Sequence, residues 1–288
     1  MEADTAPIGA SALGIYRAQS EYRADRTRLC EFWERDRALR ARLKARPALS
    51  GLCAPCRRLS EFSLPPQAHE DAFREGLACV GCGLNNRVRA AVALWLAWAR
   101  PEESSRIYVS EQGSALHAWL RHRFPHSVGS EYLGAERAPG ETVLHPSLGE
   151  LRHEDLTRLS FEAASLEHLL CFDVLEHLPA YRPALAEFAR VLAPEGFLVL
   201  TLPFDPEREE HEERARLDAE GRLEHLLPPL YHGDPLRPEE GILCYRTYGW
   251  RLLAELREAG FAEAFLALVW SPGHGHLGWP NLVLLARR

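Results

Sequence analysis

Four cysteines carry the most specific chemistry in this sequence. Cys53-Ala-Pro-Cys56 and Cys79-Val-Gly-Cys82 are two C-x-x-C pairs with 22 residues between them. Two intervening residues let both thiolates of a pair face one ion from a tight turn. Two such turns supply four sulfurs, the closed tetrahedral shell of a structural zinc site. Gly81 and Gly83 suit the second turn, because glycine accepts the backbone angles that such turns need. Redox chemistry or unrelated buried thiols are the competing readings of a single pair; the doubled spacing favours metal. Four thiolates leave no open position, so the expected Zn2+ is structural rather than catalytic. His69 lies between the pairs, but the shell is already full without it. Cys30, Cys171 and Cys244 are scattered and read as packing residues.

A second stretch raises a different question. Residues 106–109, "RIYV", read as a buried strand, and residues 115–124 read as a helix with an apolar stripe. Between them stands Ser110-Glu111-Gln112-Gly113-Ser114, where nucleotide-binding α/β folds place a glycine-rich turn. Only one glycine is present here.

The elements around these residues follow from pattern. After Cys82, Asn85 or Asn86 suits the cap of a helix whose inner face holds Val88, Val92, Trp95 and Leu96. Two knuckles leading into a helix make a treble-clef-like layout. Ahead of them, residues 15–46 read as a charged helical arm with Leu29, Phe32, Trp33, Leu39 and Leu43 as its buried stripe. From residue 106 strands and helices alternate, which argues for an α/β doubly wound sheet, mostly parallel. Its expected strands end near Val109, Glu131, Glu154 to Asp155 and Phe172, followed by the apolar run "GFLVLTLPF". A closing helix ends at Gly260, and two strands joined by "SPGHGHLGWPN" predict a terminal antiparallel hairpin. The expected organisation is an arm over 1–50, a zinc module over 51–100 and a main domain over 101–288 with an insertion at 205–247. The charged first half of that insertion reads as a solvated helix.

Composition bounds the function. The 288 residues are 46% apolar, with a formal net charge of −7. An acidic balance argues against a general nucleic-acid partner, although the arginines of the helix after Cys82 keep a local contact open. No signal-peptide pattern opens the chain, and the longest apolar run, residues 90–99, is too short to span a bilayer. A cytoplasmic protein with no membrane partner is the expectation; the oligomeric state is left open.

Residues 104–204, and more loosely 248–288, resemble the class I S-adenosylmethionine-dependent methyltransferases, in the broad small-molecule branch. The resemblance rests on "VGSEYL", on "HEDLTRLSF" and above all on "CFDVLEHLPAYRPALAEFARVLAPEGFLVLTLPF". It implies a Rossmann-like fold and S-adenosyl-L-methionine as cofactor. It further implies that Glu131 binds the ribose hydroxyls and that Asp155, with Leu156 beside it, approaches the adenine amino group. Ser110, Glu111 and Gly113 would meet the methionine end, and Asp173 would line the crevice. The family's strand acid and G-x-G-x-G turn are missing: Tyr108 occupies the strand and Gly113 alone remains. The cysteine pairs with "CGLNNRVRAA" are similar to a zinc-binding extension on some members.

His177, just past the fourth strand, is the candidate catalytic base, with a structural ring as its competing role. Glu176 reads as a residue that orients the turn. In the insertion, Tyr231, His232 and Asp234 are the substrate-side candidates, with Tyr245 and Arg246 behind them. His211, His225 and His232 share no helix face and make no metal set, and His274 and His276 read as parts of a solvated turn. The leading expectation is methyl transfer to a small molecule or sugar-like metabolite. The alternative is a catalytically inactive scaffold that uses the zinc module for protein or nucleic-acid binding.

Overall fold

The computed structural model describes residues 12–45, 48–65, 73–233, 239 and 241–288. Its contacts separate two compact units: residues 1–101 with 266–284, and residues 102–265 with 285–288.

The first unit opens with strand β1 (Ala12–Tyr16), then helices α1 (Gln19–Ala24) and α2 (Arg26–Ala45). The arm expected from sequence is therefore a strand and two helices. Leu29 and Leu43 are buried along α2 as its pattern requires, whereas Trp33 is exposed. Strands β2 (Ala48–Cys53), β3 (Arg58–Ser63) and β4 (Ala78–Cys79) form a small antiparallel sheet, with α3 (Phe73–Gly76) between β3 and β4. Helix α4 (Asn86–Trp98) follows, and the Asn85 side chain caps it by accepting from Val88 N at 2.9 Å. Val88, Val92 and Trp95 are buried on α4 as expected.

The second unit holds the parallel sheet. Strands β5 (Ile107–Val109) and β6 (Val128–Gly129) flank helix α5 (Ala115–Arg123), and the antiparallel pair β7 (Thr142–His145) and β8 (Gly149–Arg152) follows. Strand β9 (Leu166–Phe172) leads through a 3-10 turn, Leu175–His177, into α6 (Arg182–Val191) and β10 (Leu192–Thr201). The pairs β5–β6, β5–β9 and β9–β10 are all parallel, giving the order β10-β9-β5-β6. The strand order is that of a mixed α/β sheet with parallel central strands. β6 is shorter than expected, and the third parallel strand is reduced to one bridge between Glu131 and His153.

The 205–247 region contains no helix among its described residues, contrary to expectation. It forms three small ladders: β11 (Glu212–Glu213) with β16 (Arg246–Thr247), β12 (Ala215–Leu217) with β13 (Leu223–His225), and β14 (Tyr231–His232) with β15 (Ile242–Leu243). Some of its charge pairs form across strands, as with Arg216 and Glu224 at 2.7 Å, and others within turns, as with Arg222 and Asp218 at 2.7 Å.

Helix α7 (Arg251–Glu258) ends before Gly260, whose φ of 115° fits the C-terminal role. Strands β17 (Glu263–Ser271) and β18 (His276–Arg287) then run through both units. They are neighbours in the sheet, and the short link between them requires an antiparallel pair. In the first unit β17 also pairs antiparallel with β1; in the second, Glu195 and Gly196 bond the Arg288 backbone. His276, expected in a solvated turn, is buried in β18, where its Nδ1 lies 3.3 Å from Asn86 Oδ1. His274 bonds Ser271 Oγ at 2.7 Å.

Candidate functional site

Two turns of the first unit converge on one point. Cys53 and Cys82 lie with sulfurs 3.8 Å apart, Cys56 and Cys79 with sulfurs 3.7 Å apart. All four sulfurs fall within 4.8 Å of one another. Tetrahedral zinc with Zn–S bonds of about 2.3 Å puts its sulfurs about 3.8 Å apart, so the donor set fits that ion. Gly81 N–H donates to Cys79 Sγ at 3.3 Å, and Ser60 Oγ lies 3.0 Å from the same sulfur. Gly83 takes a φ of 73°, the left-handed angle foreseen for that turn. Hydrogen bonding with Cys53 holds the Cys82 thiol below its ordinary value. His69 lies outside the described residues.

Arg89, one of the two arginines (with Arg87) that kept a nucleic-acid contact open in the sequence, does not reach the surface. Its side chain is wholly buried and donates to the carbonyls of Leu77, Leu84, His274 and Gly275, with its guanidinium 4.1 Å from the Phe62 ring centroid. Among the described residues no carboxylate pairs with it. Burial lowers its pKa, and the opposing charges are those of Cys53, Cys79, Cys82 and Cys56. A buried cation facing four cysteines is what a tetrathiolate with a net negative charge requires.

In the second unit, the question of the single-glycine turn has a structural answer. Glu131 Oε1 accepts from Gln112 N at 2.7 Å and Gly113 N at 2.8 Å. Gln112 also reaches β8, donating to Glu150 O and accepting from Arg152 N. Ser114 caps α5 through His117 N, and His117 Nδ1 lies 3.1 Å from Gln112 O. Side-chain hydrogen bonds thus hold a shape that glycines would otherwise permit. Gln112 is the clamp that sequence reasoning overlooked. Gly129 is another omission: a Cβ there would stand 2.6 Å from His117 Cδ2 and 2.8 Å from Glu111 O. Tyr108, in place of the usual strand acid, is fully buried and bonds Ser130 Oγ at 2.7 Å.

The bridge between Glu131 and His153 sets two carboxylate-bearing segments side by side. Asp155 accepts at Oδ1 from Thr157 N and Oγ1, leaving it in a local turn with Leu156 buried next to it. The fully buried acid of this segment is Glu154, bound to Arg152 and Ser160. Ser110 Oγ is buried and has no oxygen or nitrogen partner among the described residues. Glu111 Oε1 is shielded from solvent as well. Asp173 follows β9 with a φ of 51°, an uncommon angle outside glycine that positions the turn to His177. Glu131 and Asp155 thus lie on neighbouring segments, with the amides of Gln112 and Gly113 turned toward the Glu131 carboxylate.

His177, the candidate base, is held in place by its neighbours. Its side chain is 9% exposed, its Nδ1 bonds Leu243 O at 2.9 Å, and Cys244 Sγ lies 4.0 Å from that nitrogen. His232 packs edge-on against it, with ring centroids 5.1 Å apart. Cys244, read from sequence as packing, joins these two histidines in one cluster. Bonding to Cys244 and Glu176 raises His232 to about 10. Burial would raise the Cys244 thiol, but His177 and His232 outweigh it and hold it below its ordinary value. Tyr231 is exposed, and Asp234 lies outside the described residues. Arg246 is structural: buried, it donates to the carbonyls of Leu178 and Pro179. Tyr245 N–H donates to Glu176 O at 2.8 Å. Cys30 is exposed rather than packed. No helix among the described residues is long and apolar enough to cross a membrane.

Residues 114–200 match a family model described as a methyltransferase domain. Solved structures that match the chain include an S-adenosylmethionine-dependent methyltransferase from Mesorhizobium loti. It is 19% identical, with 70% of this chain and 100% of that chain covered and a TM-score of 0.42. CalS10, an amino pentose methyltransferase from Micromonospora echinaspora, is 21% identical over 70% of this chain and 89% of its own, with a TM-score of 0.41. A match to a complex of the Haloferax volcanii Trm112 methyltransferase activator with a methyltransferase is 16% identical, covering 68% and 88%, with a TM-score of 0.41. No curated protein matches the chain.

Proposed function

We propose that this chain, whose residues 114–200 match a methyltransferase domain, is an S-adenosylmethionine-dependent methyltransferase that methylates a small molecule or sugar-like metabolite. The cofactor supplies an electrophilic methyl group on a sulfonium. The protein's own task is then alignment and exclusion of water rather than covalent catalysis. Glu131 holds the ribose hydroxyls, and Asp155 and Leu156 hold the adenine. Ser110, Glu111 and Gly113 receive the methionine end, with Asp173 at the turn after β9. The four cysteines hold a structural zinc that contributes to the folding of their unit. The acidic chain disfavours a nucleic-acid acceptor.

The observation that carries this reading is the Glu131–His153 register, which brings the acids of two segments to one edge of the sheet. The scaffold alternative draws support from one fact, that Glu131 Oε1 already accepts two backbone N–H groups. Calorimetry with S-adenosylhomocysteine separates the two. We expect binding, weakened about 10-fold or more by Glu131→Gln, since a charged acceptor on a hydroxyl contributes about 1.5–3 kcal/mol. No heat with either S-adenosylmethionine or S-adenosylhomocysteine sinks the enzyme reading.

A further inference from the structure

Outside the four-cysteine cluster, the described residues contain one other group of metal-ligand type, and all its members belong to the second unit. The ligand atoms of His177, His232 and Cys244 lie within 4.8 Å of one another. They come from three places in the chain: the 3-10 turn after β9, β14, and the residue just past β15. Beside them is Glu176, whose side chain is completely buried. His232 Nδ1 lies 3.3 Å and His177 Nε2 3.9 Å from its Oε1. Neither of its oxygens makes a well-directed hydrogen bond. A buried carboxylate without such bonds is costly unless something else meets its charge.

We propose that His177, His232 and Cys244 form a second metal site, for a thiophilic divalent ion of the Zn2+ class, with the Glu176 carboxylate on its fourth side. Four observations support it. Nitrogen, nitrogen, sulfur and oxygen donors make a set that suits zinc and excludes magnesium or calcium. A thiolate and a carboxylate cancel a divalent charge, so the loaded site is neutral and suited to burial. His177 donates through Nδ1 to Leu243 O, which fixes its tautomer and leaves Nε2 with a lone pair. A second hydrogen bond of this kind accompanies most metal-bound histidines. Finally, Glu176 faces both histidines, at 3.3 and 3.9 Å, without a well-directed hydrogen bond, so an ion held by those rings takes over the balance of its charge. Ligands about 2.0–2.3 Å from a tetrahedral ion lie about 3.5 Å apart, so loading draws the cluster inward by about 1 Å. The ion ties the β14–β15 ladder to the turn after β9, and it makes His177 a ligand rather than a base. Metal binding here does not depend on the methyl-transfer reading, because it is measured without cofactor.

The test is elemental analysis of the full chain, purified after expression with zinc in the medium. About two ions per chain are expected, one in each site, falling to about one in His232→Ala and in Cys244→Ser. The His232 side chain is 33% exposed, so its removal leaves the core packing in place. Circular dichroism checks that both variants fold. Cobalt-exchanged protein gives a second readout. Its thiolate charge-transfer absorption should lose one component in Cys244→Ser and keep the four-sulfur component. One ion in the wild type, with unchanged content and cobalt spectrum in folded His232→Ala and Cys244→Ser, overturns the proposal.

Discussion

The two cysteine-bearing clusters, one in each compact unit, are encoded in opposite ways. The four-cysteine set is local: every sulfur comes from residues 53–82, and two turns bring them together. The His177, His232 and Cys244 set is assembled from segments far apart in sequence. Their charge balance differs as well. Zinc bound by four thiolates would keep a net negative charge, and Arg89 is buried where it would offset that charge. A divalent ion with Cys244 and Glu176 is already neutral and needs no such counterion. Short-range spacing can announce a site; long-range assembly shows only in the fold.

The strongest test of this contrast is Cys79→Ser. Metal-binding energy in a small four-cysteine module is folding energy, on the order of 10 kcal/mol. We expect the first unit to lose its ion and its ordered core around Phe62, Phe73 and Leu77. Tryptophan fluorescence and elemental analysis read the two losses. A variant with normal zinc content and an unchanged unfolding curve would break the comparison. Arg89→Met comes next. It deprives four buried carbonyls of a donor and the tetrathiolate of its counter-charge. Removing one partner of a buried charge pair costs about 3–5 kcal/mol. Denaturant unfolding should show that loss, with zinc released more readily to a chelator.

Legibility in the sequence followed the same division. The clustering of the four cysteines, the Asn85 cap, the Gly260 stop and the parallel order of alternating strands are short-range signals, and the structure carries each of them. The 205–247 region misled because charge density in a single segment does not reveal whether its pairs form along a helix or across a ladder. Cys244 and His276 misled because their neighbours lie far away in the chain. Gln112 and Gly129 were invisible for a related reason: the one clamps β8 and the other makes room for His117, contacts that no local motif specifies.

The second unit also holds a buried acid met by hydrogen bonds and by the Arg182 cation, with no metal-type cluster around it among the described residues. Glu255 accepts from Tyr181 at 2.7 Å, from His211 at 3.1 Å and from Arg182 at 2.6 Å. Gly249 N donates to the other His211 nitrogen, which fixes the neutral tautomer with Nε2–H toward the acid. Burial would raise the Glu255 carboxyl, but these bonds outweigh it and lower it from 4.5 to about 2. A depressed carboxyl contributes stability that is complete above its unfolded value and lost as the pH falls through its folded value. Acid unfolding should therefore cost the wild type about 3 kcal/mol between pH 4.5 and pH 2 from this group. Glu255→Gln should start from a lower stability at neutral pH and lose correspondingly less in acid. Parallel acid profiles for the two proteins would show that this network does not stabilise the unit.

The smallest expected effect concerns the turn that lacks the family's glycines. Tyr108 occupies the strand position before that turn, and its hydroxyl bonds Ser130 Oγ beside Glu131. Tyr108→Phe removes one buried hydroxyl and leaves the other without its partner, a loss of about 1 kcal/mol. The ring stays packed 4.8 Å from Phe161, so the core is not emptied. If side-chain bonds rather than glycines hold the turn, loosening Ser130 should reach Glu131 and the amides of Gln112 and Gly113. S-adenosylhomocysteine affinity should then fall several-fold by calorimetry, beyond what the small stability loss explains. Unchanged affinity with the same loss of stability would confine Tyr108 to packing and assign the turn's shape to the Gln112 clamp alone.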